Sequence, residues 1–145
     1  MINFESEEIN YTVKHKTVVK NWIISTIEKR NERVGDLNFV FCNDEFLFNL
    51  NKQFLNHEDY TDVITFDYTA DNSKQAISGD IYISITRVEE NAKTFTKSFE
   101  NEFHRVMIHG VLHLLGYKDK SDEDKEKMTE AEDECLREFE RMNRK

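Results

Sequence analysis

The sequence predicts an α+β fold: a small mixed sheet of about four strands with helices on one face, in a single domain over residues 1–145. Short alternating or β-branched, aromatic runs are interleaved with longer segments of helical periodicity. There is no proline, no internal repeat and no linker-like stretch to divide the chain. The most apolar helical segment ends in HGVLHLLGYKD, His109 to Asp119, a helix-and-turn with the residue types of a metal site.

Within residues 1–13, Ile2, Phe4, Ile9, Tyr11 and Val13 alternate loosely and can supply an edge strand. From Thr17 to Arg30, Val18, Val19, Trp22, Ile23 and Ile27 recur at helical spacing. Gly35-Asp36 reads as a turn, and Leu37 to Cys42 as a strand apolar on both faces, hence central. Asn43 is suited to cap a helix whose stripe is Phe46, Leu47, Leu50 and Phe54. A polar loop, Asn56 to Tyr60, leads to the β-branched and aromatic run Asp62 to Tyr68. After a polar connection, Ala70 to Ser78, the run Gly79 to Ile85 forms its hairpin partner.

Thr86 and Glu89 have capping-box spacing for a helix reaching Lys97. The next helix, Glu100 to Leu115, is apolar around most of its circumference and is predicted to be buried on nearly all sides. Ser121 ahead of Asp122, Glu123 and Asp124 starts a final helix with the stripe Met128, Ala131, Cys135 and Phe139.

Composition narrows the function classes. The chain is long enough for a core, and 11 Phe supply bulky material for it. A net charge of −9 opposes indiscriminate nucleic-acid binding but leaves room for a local site. No apolar run approaches the roughly 18 residues of a membrane span. The acidic, broken start MINFESEEINY does not resemble a secretory leader. Cys42 and Cys135 belong to no paired metal motif, so two reduced thiols in the cytoplasm are expected.

His109 and His113, four apart on a helix, stack their rings on one face within reach of one ion. Such a pair also occurs on helices that bind nothing. Here it lies in an apolar helix, where an imidazole needs a partner. Gly116 can end the helix in a left-handed conformation and turn the chain so that Asp119 returns to the same ion. The HxxxHxxGxxD spacing follows the metzincin plan with Asp for the last His. Two imidazoles and a carboxylate leave a position open on one Zn²⁺, as in a catalytic site. Protease zincins place a general-base Glu after the first His, where this chain has Gly110. Zinc lowers the pKa of bound water to about 7 without such a base and can polarise a phosphodiester, which tilts the reading from protease to nuclease.

HGVLHLLGY resembles the signature of the YbeY family, bacterial metal-dependent endoribonucleases. Leu50-Asn51, TDVITF at Thr61 to Phe66 and GDIYIS at Gly79 to Ser84 occur in the family's order, so the resemblance runs from about residue 37 to 120. It implies an α+β hydrolase with zinc held by His109, His113 and Asp119, and His109 as the catalytic residue. It also implies cleavage of single-stranded rRNA, 16S rRNA 3′-end maturation and late-stage ribosome quality control. The implied partners are the small ribosomal subunit and ribosome-associated proteins, with no membrane and no DNA.

Two positions depart from the family pattern. The third ligand is commonly His, where Asp119 stands here; its negative charge should make bound water less acidic than a third imidazole would. Many members carry an Arg soon after the LN pair, facing the substrate phosphate, where this chain has Leu55. Arg105, Lys118, Lys120 and His57 are the candidates to replace it, each otherwise a solvated surface charge.

His104, five residues before His109, is about 140° around the helix and points away from the metal, and His15 belongs on the surface. Thr61, Asp62 and Asp80 can either orient a metal ligand or serve turns at strand starts. Two readings compete with the nuclease: a non-catalytic, zinc-containing ribosome-assembly factor, to which Leu55 and the acidic charge lend weight, and an atypical metalloprotease, weakened by Gly110.

Overall fold

A computed structural model describes residues 1–55, 60–71 and 76–144. The elements in order are β1 (Ile2–Ser6), α1 (Lys16–Glu28), β2 (Val34–Cys42), α2 (Asp44–Leu55), β3 (Val63–Asp67), β4 (Ile77–Ser84), α3 (Ile85–Thr94), α4 (Phe99–Leu114) and α5 (Asp122–Asn143). The four strands form one mixed sheet in the order β1-β2-β4-β3. β1 and β4 run parallel to β2 on either side of it, and β3 returns antiparallel to β4. β1 is thus the expected edge strand, β2 is central, and β3–β4 is the expected antiparallel pair.

Pleating divides the sheet's side chains between two cores. On one face Leu37, Phe39 and Phe41 of β2 and Ile81 and Ile83 of β4 are fully buried beneath α1, α3 and α4, with α5 packed on α1 and α4. On the other, Cys42 and Ile64 are buried with Leu47 of α2, and Phe46, Leu50, Phe66 and Tyr82 pack around them. The α+β expectation holds, but the helices do not all lie on one face. α2 covers the second face because β2 to β4 present apolar side chains on both sides. Its stripe is only half used: Leu47 is buried, while Phe54 remains 59 % exposed.

α4 fills the principal core. Ser98 caps it, its hydroxyl accepting from the Asn101 amide at 3.1 Å. Phe103 packs against the rings of Tyr11, Phe41 and Phe99. α5 starts in the expected capping box, Ser121 with Asp124, and lays Met128, Ala131, Cys135 and Phe139 on the core. The Trp22 indole of α1 donates to the Cys135 carbonyl at 2.7 Å, tying those helices together. Both cysteines are buried and free. Among the described residues no helix is long and apolar enough to cross a membrane.

Several boundaries differ from expectation. Gly35-Asp36 is not a turn between elements; it lies inside β2, where the register with β4 shifts between Val34 and Leu37. A bulge accommodates the same residues as a turn and keeps the strand running. β4 begins at Ile77, within the expected polar connection, and α3 begins at Ile85. The cap of α3 is therefore Ser84, whose hydroxyl accepts from the Arg87 amide at 3.1 Å and donates to Asp44 at 2.9 Å. Thr86 lies one residue inside the helix. The part of the Asn56 to Tyr60 loop before Tyr60 lies outside the described residues.

His104 points away from the metal site, as expected, and is buried, its ring 4.2 Å from that of Phe139 and 5.9 Å from that of Trp22. Burial outweighs the Glu100 carboxylate 3.7 Å away and, with His15 adding repulsion, lowers the imidazole's pKa to about 4. The unfolded chain binds this proton near 6.5 and the folded chain only near 4. Stability is therefore lost as pH falls through that window, by about 3 kcal/mol between pH 7 and pH 4. Urea unfolding at several pH values should show this component in the wild type and lack it in a His104→Phe variant. Equal acid slopes in the two proteins would contradict it.

Candidate metal centre

The last two turns of α4 carry His109 and His113 on one face. The helix stops because the Gly116 amide returns to the His113 carbonyl and the Tyr117 amide to the Leu112 carbonyl, both at 3.0 Å. Gly116 adopts φ 103°, a conformation that a β-carbon would strain. Asp119 comes back as a result. Its Oδ2 lies 3.4 Å from His109 Nε2 and 3.3 Å from His113 Nε2, and the two nitrogens are 3.0 Å apart. The predicted residues His109, His113 and Asp119 thus converge.

The second nitrogen of each ring determines what the first can do. His113 Nδ1 faces the Tyr117 carbonyl at 3.0 Å, and His109 Nδ1 faces Glu132 Oε2 at 2.6 Å. A carbonyl and a carboxylate only accept, so both Nδ1 atoms carry hydrogen, and in the neutral rings both Nε2 atoms present lone pairs inward. With both rings neutral, two lone pairs and a carboxylate oxygen crowd together, an arrangement that a cation relieves. Tetrahedral bonds of 2.0–2.2 Å place ligand atoms roughly 3.3–3.6 Å apart, close to the separations here. The donor set therefore fits one divalent ion with an open fourth position.

Glu132 was not singled out in the sequence, yet it is the residue that fixes His109. It lies four residues after Met128 and three before Cys135, on the buried stripe of α5. A carboxylate on that stripe was the available signal. It is buried, and its Oε1 accepts from Arg105 Nη1 at 2.8 Å while Arg105 Nη2 reaches Asp133 at 2.6 Å. Burial alone would lower the His109 pKa, but the Glu132 carboxylate, with Asp62 and Asp119 beyond it, raises it above the usual imidazole value.

A cleft of about 360 Å³ opens beside the three donors, walled by Asn51 and Leu55 of α2 and by Thr61 to Thr65. Asp62 is part of this wall, and its Oδ2 accepts from Asn91 Nδ2 at 3.3 Å. Burial pushes its carboxyl pKa up, with the His109 imidazole opposing. Thr61 also lines the cleft, its hydroxyl donating to the Val63 carbonyl at 3.4 Å. Asp80 is elsewhere: strand register turns it to the opposite face, where Asn38 and Tyr68 donate to it. It does not back a ligand.

Of the suggested substitutes for a phosphate-binding Arg, Arg105 is committed to α5, whereas Lys118 and Lys120 are exposed on either side of Asp119. His57 lies outside the described residues. Leu55 borders the cleft and is 42 % exposed.

Gly110 has a packing reason. It is buried against the sheet, and a β-carbon there would lie 2.8 Å from Ile81 Cγ2 and 3.5 Å from Thr65 Cγ2. A glutamate at this position would enter the sheet, not the cleft. Ala gains up to about 1 kcal/mol in helix propensity over Gly, while overpacking costs about 1–3 kcal/mol. Gly110→Ala is expected to lower the unfolding free energy in denaturant titration; a gain in stability would contradict the close packing. Glu132→Ala leaves Arg105 with Asp133 as its partner but removes the acceptor of Arg105 Nη1 and His109 Nδ1, and should cost about 1–3 kcal/mol; a loss of under about 0.5 kcal/mol would show the contacts to be dispensable.

The chain was compared with known proteins. The family model described as Endoribonuclease YbeY matches residues 1–140. An endoribonuclease YbeY of Flavobacterium psychrophilum is 50 % identical over 139 residues, covering 96 % of each chain. One of Flavobacterium johnsoniae is 45 % identical over 139 residues, covering 96 % of this chain and 97 % of its own. Among solved structures, the solution structure of TM1509 from Thermotoga maritima is similar with a TM-score of 0.65 at 29 % identity, covering 96 % of this chain and 89 % of that one.

Proposed function

We propose that this chain, which belongs to the endoribonuclease YbeY family, is a zinc-dependent, single-strand-specific endoribonuclease acting as one hydrolase domain over residues 1–145. His109, His113 and Asp119 hold one Zn²⁺, and His109 is also the catalytic residue. The substrate is single-stranded rRNA of the small ribosomal subunit. The roles are 16S rRNA 3′-end maturation and late-stage ribosome quality control in the cytoplasm, together with ribosome-associated proteins.

The observation that carries this reading is the contact of two bare imidazole nitrogens and a carboxylate oxygen within 3.4 Å of one another beside an open cleft. Bound there, the ion supplies a Lewis acid for a phosphate oxygen and for water, and a local positive charge in an acidic protein. The chain's own residues hold the geometry. Glu132 and the Tyr117 carbonyl fix the ring orientations and direct both Nε2 atoms toward Asp119. Asp119 contributes a negative charge, and the wall from Thr61 to Thr65 limits the approach of substrate. The packing of Gly110 removes the helix-borne base that peptide hydrolysis by the zincin route requires.

One observation favours the non-catalytic assembly reading: among the described residues lining the cleft, none is Lys or Arg. A single-turnover assay on a single-stranded fragment from the 3′ end of small-subunit rRNA separates the two. Cleavage by the wild type should stop on chelation, return with zinc and be absent in His113→Ala. Metal-independent binding without cutting would favour assembly, and cleavage persisting in zinc-free His113→Ala would contradict the site. Glu132→Gln, which weakens the anchor of His109, should reduce zinc affinity by about 10- to 100-fold in a competition titration. An unchanged affinity would remove Glu132 from the centre.

A further inference from the structure

Single-stranded RNA entering this cleft finds little charge to grip. The acidic side chains on its described walls are Asp62 and Asp119, none there is Lys or Arg, and the chain as a whole carries a net charge of −9. Arg105 is spent on Glu132 and Asp133. The wall contributed by the end of α2 is the apolar Leu55. Lys118 and Lys120 are exposed on either side of Asp119 but line none of the described cleft walls, so contacts to the bases gain weight inside the cleft.

Tyr60 offers a surface for that purpose. It immediately precedes Thr61 and Asp62 of the cleft wall and is 58 % exposed, one of the few large hydrophobic side chains so open among the described residues. Its ring is nevertheless held in place. The Phe48 ring lies 4.7 Å away, and the Arg87 guanidinium sits 5.4 Å from the ring centroid. Arg87 is itself clamped by Asp44, with Nη2–Oδ2 at 2.6 Å and Nε–Oδ1 at 3.3 Å. Phe48 lies on α2 one turn before Asn51 and two turns before Leu55, both of which line the cleft. One face of α2 thus carries both the ring that packs on Tyr60 and two residues of the cleft wall.

We propose that Tyr60 is a nucleobase-stacking residue, seating an unpaired base of single-stranded RNA beside the cleft, with Leu55 as an apolar contact on the cleft wall. This rests on the endoribonuclease reading and gives its single-strand preference a physical source. Every base has a π-face, so stacking on Tyr60 tolerates any sequence. In a duplex those faces are already covered by neighbouring base pairs, so the contact is lost. Stacking also depends little on salt, unlike a phosphate clamp.

The test is fluorescence anisotropy of a short end-labelled RNA, single-stranded or annealed to its complement, at low and moderate salt. It uses zinc-loaded wild type, Tyr60→Ala, Tyr60→Leu and Tyr60→Phe, with Tyr60→Leu keeping apolar bulk on Phe48. Tyr60→Ala and Tyr60→Leu should bind the single strand about 5- to 100-fold more weakly at both salts. Tyr60→Phe should match the wild type. Duplex binding and zinc affinity should be unchanged in all three variants, and cleavage should show a raised KM with kcat retained.

Single-strand affinity unaltered in both Tyr60→Ala and Tyr60→Leu overturns the proposal. So does a loss in Tyr60→Phe as large as in Tyr60→Ala, since that would identify a hydroxyl contact in place of stacking. If the wild type cuts RNA and Tyr60→Ala is indistinguishable from it, stacking alone fails. If zinc-loaded wild type neither binds nor cuts single-stranded RNA, the endoribonuclease reading fails and this inference falls with it.

Discussion

Three electron-rich atoms that would repel one another if left alone are held within 3.4 Å of each other at the end of α4. Much of the surrounding chain serves to keep them there. The left-handed Gly116 turns the backbone, and the carbonyl of the next residue, Tyr117, receives the outer hydrogen of His113. The Tyr117 phenol accepts from Arg30 Nε at 3.2 Å, which ties the turn to the region just after α1. From the other side, α5 supplies Glu132, a buried carboxylate shared between His109 and Arg105. A buried ion pair contributes little net stability compared with apolar packing. Its value here is orientation, because a ring with its Nδ1 anchored cannot rotate its Nε2 out of the site.

The sheet imposes the second constraint. α4 presses onto β3 and β4 so closely that Gly110 has no room for a side chain beside Ile81. That approach sets how far His109 and His113 project over the cleft, and it also denies the cleft a carboxylate at the position after the first ligand. The same packing thus positions the donors and narrows the chemistry, away from peptide hydrolysis and toward a substrate that brings its own charged oxygens.

Local features were legible in the sequence. The spacing of His109, His113, Gly116 and Asp119 has a fixed meaning once a helix and its terminating glycine are accepted, because both obey short-range geometry. The capping box at Ser121 and the central position of β2 followed from equally local signals. Features that depend on register or on contacts distant in sequence were not legible. Glu132 meets His109 across 23 positions, and nothing near either residue announces the pairing. Asp80 was as plausible a partner as Asp62 until the fold set Asp62, just ahead of β3, in the cleft wall and paired Asp80 with Asn38 and Tyr68. Gly35-Asp36 has the composition of a turn and becomes a bulge only because β4 runs alongside it. Ser84 caps α3 in place of Thr86 because β4 ends there, a boundary fixed by pairing across the sheet.

All of these features lead to one claim, that a cation belongs among His109, His113 and Asp119. Anomalous diffraction at the zinc absorption edge, on crystals of the wild-type protein grown with zinc, tests it most directly. The expected result is a single peak about 2.0–2.2 Å from both Nε2 atoms and from an Asp119 carboxylate oxygen. A zinc-supplemented crystal with no peak there, or with the peak bound elsewhere and Asp119 turned to solvent, would contradict it.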